Sequence, residues 1–380
     1  MSNLVLYRKY RPQKFAEVVG QPHVVTTIIN AISQEKIAHA YLFCGPRGCG
    51  KTTIARLLAK AVNCEKKDSP EPCNQCPSCK EIIQNRAIDI IEIDAASHRG
   101  IDEVREIRES VRFSPTKLKY KVFILDESHQ LTSGAENALL KVLEEAPEHV
   151  IFVLATTEPH KMTSTVVSRC QRFDFRKITV KEIVDRLKKI IKKEGYKGEE
   201  EALLMIASSA GGSLRDAVGL LSQVLAFIKE GDTLKREDVK ELLGVVEKQI
   251  IGDFIDFLIE GEAIKAINII EEALNQGVDA ENFYDNLIYY LREMMILKIV
   301  ARESDEEKRR SLTEALLSTL TQEEIDRIKE QGEKLELEKI KQAIDIFFDA
   351  GTRIKHSPIP QLPLEVAVAE IAENLKKFEK

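Results

Sequence analysis

Every fixed position of a G-x-x-x-x-G-K-T loop is filled in Phe43-Cys44-Gly45-Pro46-Arg47-Gly48-Cys49-Gly50-Lys51-Thr52-Thr53, and few folds accept that pattern. Gly45, Gly48 and Gly50 let the backbone turn its N–H groups inward around an anion. Lys51 can reach the outer phosphates of a nucleotide such as ATP, and the Thr52 hydroxyl suits Mg²⁺. The apolar run Ala40 to Phe43 reads as a short strand before the loop, and Thr52 to Val62 as a helix whose positive end faces the same phosphates. A chance glycine-rich turn would not have the right flank on both sides. The pattern predicts an α/β P-loop NTPase core in which Gly45 to Thr53 wraps phosphate.

The second chemical landmark is Lys121-Val122-Phe123-Ile124-Leu125-Asp126-Glu127-Ser128-His129. Its continuous apolar run reads as a buried parallel strand that delivers two acids to the end of the sheet where ligands bind. There Asp126 would hold Mg²⁺ through water and Glu127 would orient or deprotonate the attacking water. His129 reads as a positioned structural residue. The strand Val150 to Thr157 ends in hydroxyls suited to sensing a γ-phosphate, with Thr157 preferred over Thr156. Ile88 to Ile93 and Arg172 to Phe175 complete a five-stranded parallel sheet.

Between the phosphate loop and the acids, Cys64, Cys73, Cys76 and Cys79 are spaced C-x8-C-x2-C-x2-C in a segment too polar to form a core. Four thiolates so close can close a tetrahedral shell around Zn²⁺, and metal binding would supply the folding free energy the segment lacks. An iron–sulfur cluster is the rival. The upstream position of Cys64 and the absence of a following Cys-Pro favour zinc, in a structural role. Cys44, Cys49 and Cys170 are left as ordinary thiols.

Acidic residues outnumber basic ones, 62 to 56, which excludes a uniformly positive nucleic-acid binder, so DNA contact must come from a local patch or from partners. Arg105, Arg108 and Arg112 share one helix face between Ile101 and Phe113, and either that stripe or Arg99 could track phosphates. The competing reading is a salt-bridged surface, with Arg105 paired to Glu109. No signal peptide or long apolar run is present, which points to a cytoplasmic protein with no membrane partner.

Taken together, several motifs occur in a telling order. They are Tyr7-Arg8-Lys9-Tyr10-Arg11-Pro12, Val18-Val19-Gly20-Gln21, the phosphate loop, the four cysteines, Asp126-Glu127-x-His129, Ala155-Thr156-Thr157-Glu158-Pro159 and Ser168-Arg169-Cys170. The series resembles the gamma/tau family of bacterial DNA polymerase III clamp-loader subunits, AAA+ ATPases. The resemblance covers nearly the whole chain and is most specific in residues 7–215. It implies nucleoside contact by Tyr7, Arg8, Pro12, Val19, Gly20 and Gln21, and zinc at the four cysteines. It also makes Arg169 a finger acting on a neighbouring subunit's nucleotide and places Lys141 facing DNA. Ser213 can cap a helix that carries Leu214 and Arg215, and the resemblance makes Arg215 a second nucleotide sensor. Ser128 and Gln130 depart from the more usual apolar residues of the acid box.

The resemblance further implies an ATPase within a DNA-directed DNA polymerase holoenzyme. It would sit in a five-subunit ring with delta, delta prime and further gamma/tau copies, and load the sliding clamp onto primer-template DNA. A branch-migration ATPase of the AAA+ class is the alternative, though it would not be expected to carry the cysteines. Expected domains are a nucleotide-binding core at 1–177, an all-α lid at 178–243 and an all-α collar at 244–380. In the collar, helices are expected at 250–260, 263–276, 280–301, 312–320, 322–331 and 337–352, with Gly277 and Gly332 as stops. Pro358, Pro360 and Pro363 would introduce a last helix at 364–376. The long tail of the tau form is not seen beyond it, implying the short form or a truncated chain.

Overall fold

The computed structural model describes residues 5–66, 68–229, 231–243, 248–316, 320 and 322–377. The chain divides into two compact units, 1–236 and 237–380.

The first unit opens with a short helix α1 (Leu6–Lys9), a 3₁₀ turn at Phe15–Glu17 and helix α2 (Pro22–Ser33), which starts on Pro22 where a missing N–H costs nothing. Then follow β1 (Ala40–Cys44), α3 (Lys51–Val62), α4 (Pro77–Ile83), β2 (Ile90–Asp94), α5 (Ile101–Val111), β3 (Lys121–Asp126), α6 (Ser133–Glu144), β4 (Val150–Thr156), α7 (Ser164–Val167) and β5 (Gln171–Asp174). The strands form one parallel sheet in the order β2-β3-β4-β1-β5. β1 and β4 are buried along their whole length, as the continuous apolar runs require. Alternation sorts their side chains: Tyr41 and Phe43 pack with Ile54 and Leu58 of α3, while Leu42 and Cys44 pack on the opposite face with Leu139 and Leu143 of α6. All five strands therefore end on one edge, where β1 opens into the phosphate loop and β3 into Asp126-Glu127.

The sheet is followed by α8 (Val180–Lys193), β6 (Lys197–Gly198), α9 (Glu200–Ser209), α10 (Leu214–Phe227) and β7 (Thr233–Leu234), which pairs with β6 in a small parallel ladder. Thr179 and Glu182 form a reciprocal capping box at the start of α8. Ser213 caps α10 by accepting the Asp216 N–H at 3.3 Å.

Helix α11 (Arg236–Leu243) crosses the division between units, and the expected boundary at 243–244 borders residues 244–247, which lie outside the described ones. The second unit continues with α12 (Lys248–Ile259), α13 (Ala263–Asn275), α14 (Ala280–Val300), α15 (Glu306–Leu316), α16 (Gln322–Lys334), α17 (Leu337–Ile354) and α18 (Leu362–Lys377). Its core is built around Phe254, with Phe283 at 5.4 Å and Phe347 at 6.1 Å between ring centroids.

Three expectations here are corrected. Helix α15 starts at Glu306, not Leu312, because Asp305 accepts the N–H groups of Glu307 and Lys308 at 3.0 and 3.2 Å and caps a polar first turn; residues 317–319 of the expected helix lie outside the described ones. Gly332 does not stop its helix but lies inside α16, where an added Cβ would stand 3.3 Å from the Met294 side chain; it serves close packing. Helix α18 starts at Leu362, with Pro363 inside its first turn rather than ahead of it. Gly277, with φ of 90°, stands just past α13 as expected of a helix-ending glycine.

Candidate active site

A cleft opens above the carboxyl edge of the sheet. One wall is the phosphate loop from Arg47 to Thr53. Asp126 and Glu127 form the floor, and the other walls come from the N-terminal segment and from α8 and α10. The lining side chains include five cations, Arg11, Arg47, Lys51, Arg186 and Arg215, against two carboxylates, Asp126 and Glu127. In a chain whose formal charge is −6, that local excess of positive charge suits a polyphosphate.

The loop is built to present donors. Gly48 has φ of 73°, and a Cβ there would stand 1.8 Å from the Ser213 hydroxyl oxygen, so only glycine lets the loop lie against the start of α10. That approach brings Leu214 and Arg215 to the cleft. Gly50, also left-handed, leads directly into α3, whose first-turn N–H groups face the cleft. Lys51 is 5% exposed, and its ammonium donates to the Gly45 and Pro46 carbonyls at 2.7 and 2.9 Å. Anionic phosphate oxygens are stronger acceptors than either carbonyl.

The candidate catalytic residues meet around the acids. Thr52 Oγ1 donates to Asp126 Oδ2 at 2.7 Å, which sets a hydroxyl and a carboxylate side by side as a Mg²⁺ site requires. Glu127 is a left-handed residue, φ 48°, and its N–H donates to Asp126 Oδ1 at 3.0 Å. Such a conformation in a non-glycine residue is held by its surroundings. Thr157 Oγ1 donates to Glu127 Oε2 at 3.0 Å, whereas Thr156 is fully buried, with its hydroxyl 3.0 Å from His129 Nδ1. The two threonines thus part: Thr157 addresses the acid, Thr156 the supporting histidine. Ser128 is buried and donates to the Ala155 carbonyl at 3.1 Å, so a hydroxyl fits where an apolar residue is more usual.

On the nucleoside side, Tyr7, Pro12 and Val19 line the cleft. The Arg215 guanidinium lies 5.1 Å from the Tyr7 ring centre and the Arg8 guanidinium 5.9 Å. Arg8 first, and then Arg215, hold the Tyr7 phenol below its ordinary value. Gly20 and Gln21 do not line the cleft. Gln21 is 1% exposed, donates to the Arg176 carbonyl at 2.7 Å and accepts the Arg176 N–H at 3.2 Å, tying the N-terminal segment to the chain just past β5. Lining residues not anticipated are Tyr10, Arg11, Val18, Ile178, Arg186, Ile190 and Val218. Burial, and then Arg56, hold Arg11 below its usual value. Arg186–Ile190 and Leu214–Val218 are each one helical turn apart, so spacing alone cannot distinguish them from core packing. Burial also raises the Cys49 thiol, against the pull of Lys51, which marks a packing residue rather than a nucleophile.

Other singled-out residues lie elsewhere. Arg169 does not line the cleft; its guanidinium pairs with Glu144 and donates to the Thr165 carbonyl at 2.8 Å. Arg99, Arg105 and Lys141 are exposed. Arg105 pairs with Asp102 at 2.7 Å, one turn back, rather than with Glu109.

The four cysteines do come together. The sulfurs of Cys64, Cys73, Cys76 and Cys79 all lie within 4.8 Å of one another, with 3.9 Å between Cys73 and Cys79. A tetrahedral Zn²⁺ with bonds of about 2.3 Å needs sulfurs ~3.8 Å apart. The N–H groups of Gln75 and Cys76 point at the Cys73 sulfur at 3.4 and 3.3 Å and pull its thiol down to about 6, which favours the thiolate a metal binds. The donor set fits zinc.

Comparisons with known proteins cover almost the whole chain. Residues 20–179 match the family model for the DNA polymerase III delta subunit, 182–230 that for the ATPase lid domain of a DNA polymerase III clamp-loader subunit, and 234–379 that for domain III of DNA polymerase III subunits gamma and tau. Bacillus subtilis DNA polymerase III subunit tau is 44% identical over 98% of this chain and 64% of its own length. The Escherichia coli tau subunit is 41% identical over 79% of this chain and 46% of its own length. This chain therefore spans about half to two thirds of those relatives. The solved Thermotoga maritima RuvB branch-migration motor is 22% identical, with a TM-score of 0.48 over 67% of this chain and 80% of its own, a distant likeness of shape. Among the described residues no helix is long and apolar enough to cross a membrane.

Proposed function

The chain belongs to the gamma/tau family of bacterial DNA polymerase III clamp-loader subunits, and on that premise we propose that it is an ATP-hydrolysing subunit that loads a sliding clamp onto primed DNA. The observation that carries the proposal is the convergence of Lys51, the Thr52–Asp126 pair and the Thr157–Glu127 pair on one cationic cleft. ATP would lie with its phosphates on the loop and its nucleoside against Tyr7, Pro12 and Val19. Thr52 and Asp126 would hold Mg²⁺, which when bound supplies charge neutralisation at the phosphates. Glu127, oriented by Thr157, would accept a proton from the attacking water. Arg215 would meet the phosphates of its own subunit. Arg169, which stands outside its own cleft, would serve a neighbour's phosphate.

The partners would be delta, delta prime and further gamma/tau copies in a five-subunit ring, with 178–243 acting as lid and 244–380 as collar. Zn²⁺ would be held by the four cysteines in a structural role. Arg99, Arg105 and Lys141 would face DNA. Phosphate release by the chain with loader partners, clamp and primed DNA tests the reading. Stimulation by clamp and DNA, abolished in Lys51→Ala and lost in Arg169→Ala, is the expected result. Turnover indifferent to the clamp and to both substitutions would overturn it.

A further inference from the structure

The 3₁₀ turn Phe15–Glu17 stands between two stretches of the cleft wall, Tyr10 to Pro12 before it and Val18 and Val19 after it. The turn is held from outside. Glu71, two residues ahead of Cys73, accepts the Phe15 N–H on one carboxylate oxygen and the Ala16 N–H on the other, both at 2.8 Å. Just before it, Gln13 is fixed by Lys60 at the end of α3, whose ammonium donates to the Gln13 carbonyl and side-chain oxygen at 2.8 and 2.9 Å. The Phe15 ring is 1% exposed in the core below.

The first N–H groups of a helical turn have no partner within it, and a carboxylate that takes two in succession fixes both the position and the direction of the chain. The rest of the cysteine loop supports that carboxylate. The Glu71 N–H donates to the Ser69 hydroxyl at 3.1 Å. Cys73 N–H donates to the Cys64 sulfur at 3.4 Å, and Glu65 accepts both the N–H and the hydroxyl of Ser78 at 3.2 and 2.8 Å, so the loop is closed on itself.

We propose that the four-cysteine loop positions the N-terminal wall of the nucleotide cleft through Glu71, so that nucleotide affinity depends on a positioning residue that is neither a cleft residue nor a metal ligand. The proposal rests on the nucleotide reading of the cleft. It gives the loop a purpose beyond its own folding: closing the sulfur cluster holds Glu71 where Phe15 and Ala16 need it.

The test uses the full chain as wild type, Glu71→Ala, Glu71→Gln and, as a loop control, Asp68→Ala at an exposed position of the same loop. Zinc content, affinity for a fluorescent ATP analogue, turnover at saturating ATP and amide exchange across residues 13–19 are measured on each. Glu71→Ala is expected to keep its zinc and its saturated turnover, to lose about three- to tenfold in analogue affinity, and to exchange faster across 13–19. Glu71→Gln, which keeps one acceptor, should fall between, and Asp68→Ala should match wild type. Zinc-replete Glu71→Ala with wild-type affinity and exchange would overturn the proposal, as would an Asp68→Ala protein with the same losses. Failure of the wild-type chain to bind the analogue would instead overturn the nucleotide reading, and exchange across 13–19 would still decide whether Glu71 is the clamp.

Discussion

Replacing Thr157 by valine swaps one hydroxyl for a methyl of nearly the same size and isolates a single interaction. Thr157 Oγ1 donates to Glu127 Oε2 at 3.0 Å, while His129 Nδ1 lies 3.5 Å from the same oxygen and 3.0 Å from the Thr156 hydroxyl. The carboxylate direction therefore depends chiefly on Thr157, since a left-handed residue at a strand end gains no orientation from the sheet. A hydrogen bond to a charged group contributes about 1.5–3 kcal/mol. The Glu127 side chain is 31% exposed, so water recovers part of that, leaving about 1–1.4 kcal/mol. If the bond orients the base in the transition state, kcat falls about five- to tenfold. The assay is steady-state phosphate release with clamp and primed DNA, alongside analogue binding. Thr157→Val should keep wild-type affinity and lose turnover, and Thr157→Ser should restore most of it. A kcat within twofold of wild type, or a serine variant as slow as the valine one, would refute the reasoning.

Two further outcomes follow from buried polar contacts. Asp89, 2% exposed, accepts the N–H groups of Thr116, Lys117 and Leu118 at 2.8, 2.8 and 3.0 Å and so fixes the approach to β3. Asp89→Ala should cost about 3–5 kcal/mol, a fall in Tm of at least ~6 °C, read by thermal unfolding. Burial pushes the Asp89 carboxyl up, but those three donors outweigh it and leave the group below its ordinary value of 3.8. Its stabilisation is thus present above that value and lost as pH falls below it, so the gap between wild type and variant should narrow there. Removing metal with a chelator should release zinc in proportion to chain and speed amide exchange across 64–79 while the sheet stays protected; a loop that exchanges no faster after metal loss would argue against a structural site.

Much of the chemistry is legible in the chain order because it is local. Gly45 to Thr52 is a continuous stretch whose spacing dictates its own conformation, Asp126-Glu127 ends a buried run, and four cysteines lie within sixteen residues. The apolar runs of β1, β3 and β4 likewise specify buried parallel strands. Local pattern also explains the errors. Gly332 follows an apolar stripe as a stop would, and only the approach of Met294 from another helix shows why it sits inside one.

What only the tertiary structure decides is which distant side chains share a space. Val18, the Arg186–Ile190 turn of α8 and Val218 come from separate segments, and each carries a pattern equally suited to core packing. Gln21 adjoins residues that line the cleft yet points inward, because Arg176, just past β5, offers it a carbonyl and an N–H. The choice of Thr157 over Thr156 became a matter of geometry once the alternation of β4 sent one hydroxyl to Glu127 and the other to His129. Glu71 belongs to no motif, and its two bonds span more than fifty residues of chain. Sequence determined the groups offered to a phosphate, whose spacing is fixed by covalent neighbours; folding determined how they are aimed, since that depends on contacts the chain makes only when closed.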